Sequence, residues 1–264
     1  MSPSEGALTE RSARVAAAVK LHRHVGRRRA ERFLAEGPNL VEAALRRDLV
    51  SEVFVTESAL SRFGSMLTDT PIHLVTERAA KALSETVTPV GLVAVCSVPE
   101  TSLSDVLADA PQLVAVAVEI SEPGNAGTLI RIADAMGADA VVLAGHSVDP
   151  YNGKCLRASA GSIFAIPVVA EPDAAQAVAA LCDAGLQLLA TTVDGEISLD
   201  EAEPLLSAPT TWLFGPESQG LPTELAEKAA HRVRITMPGN SESLNVASAA
   251  AICLYQSARA RRVG

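Results

Sequence analysis

Aromatic side chains are scarce in this chain: they make up 3% of its residues, with one tryptophan, two tyrosines and five phenylalanines. That argues against a β-sandwich packed around tyrosine and tryptophan and favours helices laid on a sheet. Cysteine is also sparse. Cys96, Cys155, Cys182 and Cys253 stand far apart with no Cys-x-x-Cys pair, so neither a zinc site nor a disulfide framework is expected. Free, buried thiols in a reducing compartment are the simpler reading. Charge interrupts every apolar run well before the ~20 residues a membrane span needs. The opening MSPSEGALTERSARV has no apolar signal core. A soluble, cytoplasmic protein with no membrane partner and no metal is therefore expected. The chain also lacks a Gly-x-Gly-x-x-Gly after any strand-like run, the usual fingerprint of dinucleotide enzymes.

What is present is a chain of 264 residues, 48% apolar and built chiefly from Ala, Val and Leu, enough for two modest domains with real cores. The formal net charge of −9 is spread unevenly. Between Arg11 and Arg32, eight Lys and Arg face a single acid, Glu31, so this stretch carries +7 and the remainder −16. Such a run is either a solvated helix face or a surface for phosphate. Clustered like charges repel one another, which favours an anionic partner. Residues 1–27 read as a basic N-terminal arm.

Residues 28–98 read as a small α/β module, with strands at 32–35, 53–56, 72–75 and 91–97 and helices at 39–47 and 77–84. Residues 99–111, PETSLSDVLADAP, are acidic and bracketed by prolines: a linker with room for a helical turn or two. From 112 to 264 the texture changes. Strands at 113–120, 140–144, 168–169, 186–192, 211–214 and 231–236 alternate with helices at 128–136, 173–184, beyond Pro222, and at 243–259. The nearly continuous apolar run 113–120 is typical of strands buried on both faces of a parallel sheet. The second domain is thus expected to be a parallel α/β sheet.

Ligands of such sheets sit where strands leave them, and three exits carry polar residues. After 113–120 comes Pro-Gly-Asn-Ala-Gly, in which Asn125 can cap the following helix and Arg131 falls about one turn into it. After 211–214 comes Gly215-Pro-Glu217-Ser-Gln-Gly220, with a carboxylate held between glycines. After 231–236 comes Pro-Gly-Asn-Ser-Glu-Ser243-Leu244-Asn245, at a helix amino end that offers unpaired amide donors. Taken singly, each is also readable as a surface loop with a helix cap.

Together, in this order and spacing, the patterns Asn125-x-Gly-x-x-x-Arg131, Phe214-Gly-x-Glu217-x-x-Gly220 and Ser243-Leu-Asn-Val246 resemble the three motifs of the SpoU (TrmH-like) 2′-O-methyltransferases of the SPOUT superfamily. The resemblance covers residues 112–262. Residues 28–98, with the stretch FLAEGPNLV at 33–41, resemble the ribosomal-protein-L30e-like substrate-binding domain that precedes many members. The layout is most similar to 23S ribosomal RNA methyltransferases, the thiostrepton-resistance type included.

The resemblance implies a deep trefoil knot in the C-terminal sheet, a homodimer through the final helix, and S-adenosyl-L-methionine as methyl donor to a ribose 2′-hydroxyl of RNA. It implies that the backbone around Thr191, Thr192, Leu213, Phe214, Gly215, Gly220, Ile235, Met237 and Leu244 encloses the cofactor. Arg131 would act on the ribose hydroxyl, oriented by Asn125, Glu217, Ser243 and Asn245. Arginine is practically never deprotonated in proteins, so its expected role is to stabilise developing negative charge while another group or water takes the proton. Arg157, with Arg27, Arg28 and Arg29, is expected on RNA phosphate, and Lys154 is a weaker candidate. Transfer RNA is the alternative substrate. A non-catalytic RNA-binding or ribosome-assembly protein is the alternative from another class.

Overall fold

The structure is a computed structural model that describes residues 6–216 and 219–263. It divides into two compact units, Met1–Glu100 with Tyr151–Phe164, and Thr101–Pro150 with Ala165–Gly264.

In the first unit, α1 (Ala13–Val19) and α2 (His24–Ala30) precede β1 (Arg32–Glu36), α3 (Pro38–Leu45), β2 (Val50–Val55), α4 (Glu57–Phe63), β3 (Ile72–Leu74), α5 (Glu77–Ala82) and β4 (Leu92–Ser97). The sheet runs β1-β4-β2-β3; β4 is antiparallel to both neighbours and β3 is parallel to β2. Local chemistry sets the helix starts. Thr56 and Thr76 each accept from the amide three residues on. Gly37, at φ 87°, turns the chain so that Pro38 opens α3.

Alternation along β1 sends side chains to both faces. Leu34 joins Val15, Ala18, Leu21, Phe54 and Leu83 in one apolar cluster. Phe33 points the other way and stacks on Tyr151 (4.8 Å) and Phe164 (5.8 Å). The basic stretch is helical and packed, because Val15, Ala18 and Leu21 line one side of α1 and its following turn and are buried. The segment Tyr151–Phe164, distant in sequence, completes this unit.

The second unit opens with α6 (Leu103–Ala108), so the expected linker is partly helical. Ser102 and Asp105 close a capping box, and Leu103 and Val106 reach the core. Then follow β5 (Leu113–Val118), α7 (Pro123–Ala135) and β6 (Ala140–Ala144). Next come α8 (Gly153–Ser159, which belongs to the first unit), β7 (Val168–Glu171), α9 (Ala174–Asp183), β8 (Gln187–Thr191), β9 (Ile197–Ser198), β10 (Thr210–Phe214), α10 (Thr223–Ala226), β11 (His231–Arg234) and α11 (Val246–Val263). The sheet order is β7-β6-β5-β10-β8-β11-β9, with every pair parallel.

Every residue of β5, β6 and β10 is buried, as covered parallel strands require. Val114, Val116 and Val118 face α6, α9 and α10, while α7 and α11 pack on the opposite side. The lone tryptophan, Trp212, is fully buried there and donates its indole N–H to Ser257 Oγ of α11 at 2.9 Å. Burying so large a ring stabilises strongly; truncating such a side chain to alanine costs about 3–5 kcal/mol, and the hydroxyl removes the penalty of an orphaned donor. The cysteines are free, with Cys182 exposed and the others buried. Burial pushes the Cys96 thiol up to about 12.

Two helix starts differ from expectation. α7 begins at Pro123, five residues early, because Glu122 caps it by accepting from Gly124 N and proline suits the first helical position. α11 begins at Val246 rather than at Ser243.

Candidate functional site

The adjacent strands β10, β8 and β11 end side by side, and the chain leaving them surrounds a cavity of about 480 Å³, within the ~300–1,000 Å³ usual for small-molecule sites. Thr191 to Asp194 line it beyond β8, Phe214 to Pro216 and Gln219 to Leu221 beyond β10, and Ile235 and Met237 beyond β11. Glu242 to Leu244 and Val246 close it at the start of α11.

Close backbone packing shapes these walls. A Cβ on Gly215 would lie 2.7 Å from Gly220 O, so the loop folds back on itself only because residue 215 is glycine. A Cβ on Gly195 would lie 2.6 Å from Arg234 N. The turn before β9 is tied to β11. Arg232 pairs with Asp194 (3.6 Å) and Glu196 (3.0 Å), and Arg234 Nη1 donates to Gly195 O at 2.8 Å. The Arg232 backbone N–H, donating to Glu196, holds that carboxyl below its usual range.

Of the residues expected on the cofactor, all but Leu213 line this cavity. The Leu213 side chain packs into the apolar core, and its carbonyl accepts from Thr191 Oγ1 at 2.8 Å. Thr192 lines the cavity, and its Oγ1 is buried without a hydrogen-bond partner. A buried hydroxyl left so is costly unless a ligand answers it. Sequence reading passed over Val193, Asp194, Gln219 and Glu242. Asp194-Gly195 just beyond β8 is the strand-exit signal that could have pointed to the first two.

The residues expected to be catalytic fall into four groups. Asn245 precedes α11 and caps it, its Oδ1 accepting from Ala247 N (3.0 Å) and its carbonyl from Ala249 N (3.0 Å). That fixes the amide, whose Nδ2 donates to Asn125 Oδ1 at 3.1 Å. Asn125 therefore sits inside the first turn of α7 instead of capping it. Ser243 is exposed and lines the cavity. Arg131 lies more than two turns into α7, exposed and outside the cavity lining. Glu217 lies outside the described residues.

Among the residues expected on RNA, Arg28 and Arg29 are exposed. Arg27 is a correction: it is 5% exposed, and its Nη1 donates to the carbonyls of Leu21 (2.9 Å) and His22 (2.8 Å), so it holds the turn between α1 and α2. Arg157 is half-buried between Glu36 (3.8 Å) and Glu85 (3.6 Å). Among the described residues no group of His, Cys, Asp or Glu could hold a metal ion, and no helix is long and apolar enough to cross a membrane.

Residues 112–255, which hold this cavity and the Asn125–Asn245 pair, match the SpoU rRNA Methylase family. The chain belongs to that family. Residues 12–94 match the MRM3-like substrate binding domain. Among SpoU relatives, the 23S rRNA (guanosine(2553)-2′-O)-methyltransferase RlmP of Bacillus subtilis (strain 168) is 37% identical over 89% of this chain and 92% of its own length. The SpoU methyltransferase AviRb from Streptomyces viridochromogenes, in complex with the cofactor AdoMet, superposes with a TM-score of 0.84 at 29% identity, covering 96% of this chain and 100% of that one. An AdoMet-bound rRNA methyltransferase from Sinorhizobium meliloti superposes with a TM-score of 0.83 at 28% identity, over 94% of this chain and 95% of that one.

Proposed function

We propose that this protein transfers the methyl group of S-adenosyl-L-methionine to a ribose 2′-hydroxyl of 23S ribosomal RNA, in the cytoplasm. The observation that carries this reading is the cavity at the ends of β10, β8 and β11. Its Gly215–Gly220 fold-back lets backbone approach a ligand closely, and Thr192 in its lining buries Oγ1 without a partner. It fits a cofactor bound by backbone and a hydroxyl, without a phosphate-binding fingerprint. When bound, the cofactor supplies an activated methyl on a sulfonium centre.

The chain's own residues then have separate tasks. The strand-exit loops bind and exclude water, which favours a reaction that disperses charge. Asn245, fixed as the cap of α11, orients Asn125. Arg131 stabilises the charge developing on the ribose oxygen, and water or another group accepts the proton. Glu217 and Ser243 help to position the ribose. Arg28 and Arg29, with Arg157, meet RNA phosphate.

The strand order supports a threaded, knotted C-terminal unit, since the late strands β10 and β11 each stand between earlier ones. Homodimerisation is supported by α11, which exposes Ile252 and Tyr255 and buries Gln256 Oε1 and Arg261 Nη2 without partners. A second copy would also explain why Arg131 is outside its own cavity lining: the guanidinium then serves the partner's cofactor.

Radiolabelled methyl transfer tests the reading. Purified protein is expected to label a 2′-hydroxyl in 23S ribosomal RNA and not in transfer RNA; label confined to transfer RNA would reassign the substrate. Arg131→Ala should lower turnover about 10²–10³-fold, the usual loss for one charge-stabilising donor, with the cofactor Kd within about twofold of wild type. Undiminished transfer refutes the role of Arg131.

A further inference from the structure

Two carboxylates, Asp194 and Glu242, line the cofactor cavity, and no lysine, arginine or histidine does so among the described residues. The two acids differ in their surroundings. Asp194 has Arg232 Nη1 at 3.6 Å. Among the described residues no cation pairs with Glu242. Much of the remaining wall is apolar: Phe214, Leu221, Val233, Ile235, Met237 and Leu244. A carboxylate without a counter-ion beside low-polarity walls makes the local potential negative, because such walls focus field lines rather than screening them. A cavity of that kind favours a cationic occupant and disfavours phosphates.

We propose that Glu242 makes the cavity selective for positive charge and so separates the methyl donor from the product of its own reaction; this rests on the function proposed above. In the transfer, the ribose oxygen bonds to the methyl carbon while the carbon–sulfur bond breaks. The bonding pair stays on sulfur, and the hydroxyl proton leaves to water or a base. The sulfonium becomes a neutral thioether, so the spent cofactor carries one positive charge fewer than the donor. Glu242 attracts the donor through that charge and loses this hold when it disappears. Donor then displaces product more readily than shape alone allows, since the two molecules differ otherwise by one methyl group.

Isothermal titration of the full chain with three probes tests this. They are S-adenosyl-L-methionine, S-adenosyl-L-homocysteine, and sinefungin, in which a protonated amine replaces the sulfonium. Glu242→Gln is expected to raise the Kd of both cationic probes about fivefold, the scale of a solvent-screened ion pair, and to change the homocysteine compound less than about twofold. Glu242→Asp should keep most of the discrimination. Asp194→Asn should shift it less, because Arg232 already answers that charge. Equal weakening of all three probes overturns the proposal, since it marks a contact with the amino group they share; no change in any overturns it too. If wild type binds none of the three, the cofactor reading itself fails. If wild type binds all three and the glutamine variant discriminates as before, only the role of Glu242 fails. Should the variants not fold, raising salt from about 50 to about 500 mM on wild type gives the same comparison, because screening weakens the two probes with the extra positive charge more than the homocysteine compound.

Discussion

One inward-facing polar group in each unit is treated in the opposite way to the other. In the first, Glu36 is only 10% exposed in its side chain, yet it is answered on every side. Ser84 Oγ and Thr86 Oγ1 donate to one oxygen, Glu85 N donates to the other, and Arg157 stands at 3.8 Å. In the second, Thr192 lines a cavity, and its Oγ1 is buried with nothing to bond. The contrast separates architecture from binding. A satisfied carboxylate pins the loop after α5 and the helix Gly153–Ser159 to one sheet, whereas a cavity-lining residue keeps its hydroxyl unanswered.

The comparison can be broken most forcefully at Glu36. Glu36→Ala should strand the donors around it and leave Arg157 facing Glu85 alone. A loss of about 2–4 kcal/mol is expected, read as a lower denaturant midpoint with cofactor affinity retained; an unchanged midpoint would mean that the cluster is decorative.

A second prediction sharpens the other side. Asn245→Asp keeps an oxygen to cap α11 but removes the N–H that reaches Asn125 Oδ1. Thermal stability should stay within about 1 kcal/mol, the usual worth of a cap, while turnover falls about tenfold or more. Equal turnover would show that the Asn125–Asn245 bond serves only the fold.

The smallest effects concern the basic stretch. Arg28→Ala with Arg29→Ala should reduce the salt dependence of RNA binding, lowering the log–log slope by about 0.7–0.9 per lost phosphate contact. Arg27→Ala should instead destabilise the first unit by about 1–3 kcal/mol, because a buried and a part-buried carbonyl lose their donor. Indistinguishable behaviour of the three arginines in both assays would erase that distinction.

Much of the fold was legible because it is written in near neighbours. A nearly continuous apolar run marked β5, and β6, β10, α3 and α5 lie within a residue or two of where they were expected, whereas α4, opened by the Thr56 cap, was not foreseen because Thr56 reads as the end of a strand. The misread starts have local causes. Gly124, Asn125 and Gly127 look like a turn, yet Glu122 and Pro123 suffice to begin α7 there. Ser243 looks like a cap, yet Asn245 makes the capping bonds. Arg27 resembles Arg28 and Arg29 in sequence; only its helix face buries it.

By itself the sequence determined the element types, the parallel sheet and the three strand-exit segments, since periodicity and turn chemistry act over a few residues. Only the tertiary structure decided which of those segments meet. Asn125 and Asn245 bond across 120 residues, Tyr151 and Phe164 close on Phe33, and β10, β8 and β11 end together around one cavity. Such meetings follow from the order in which long crossovers place strands side by side, and no local pattern along the chain encodes that order.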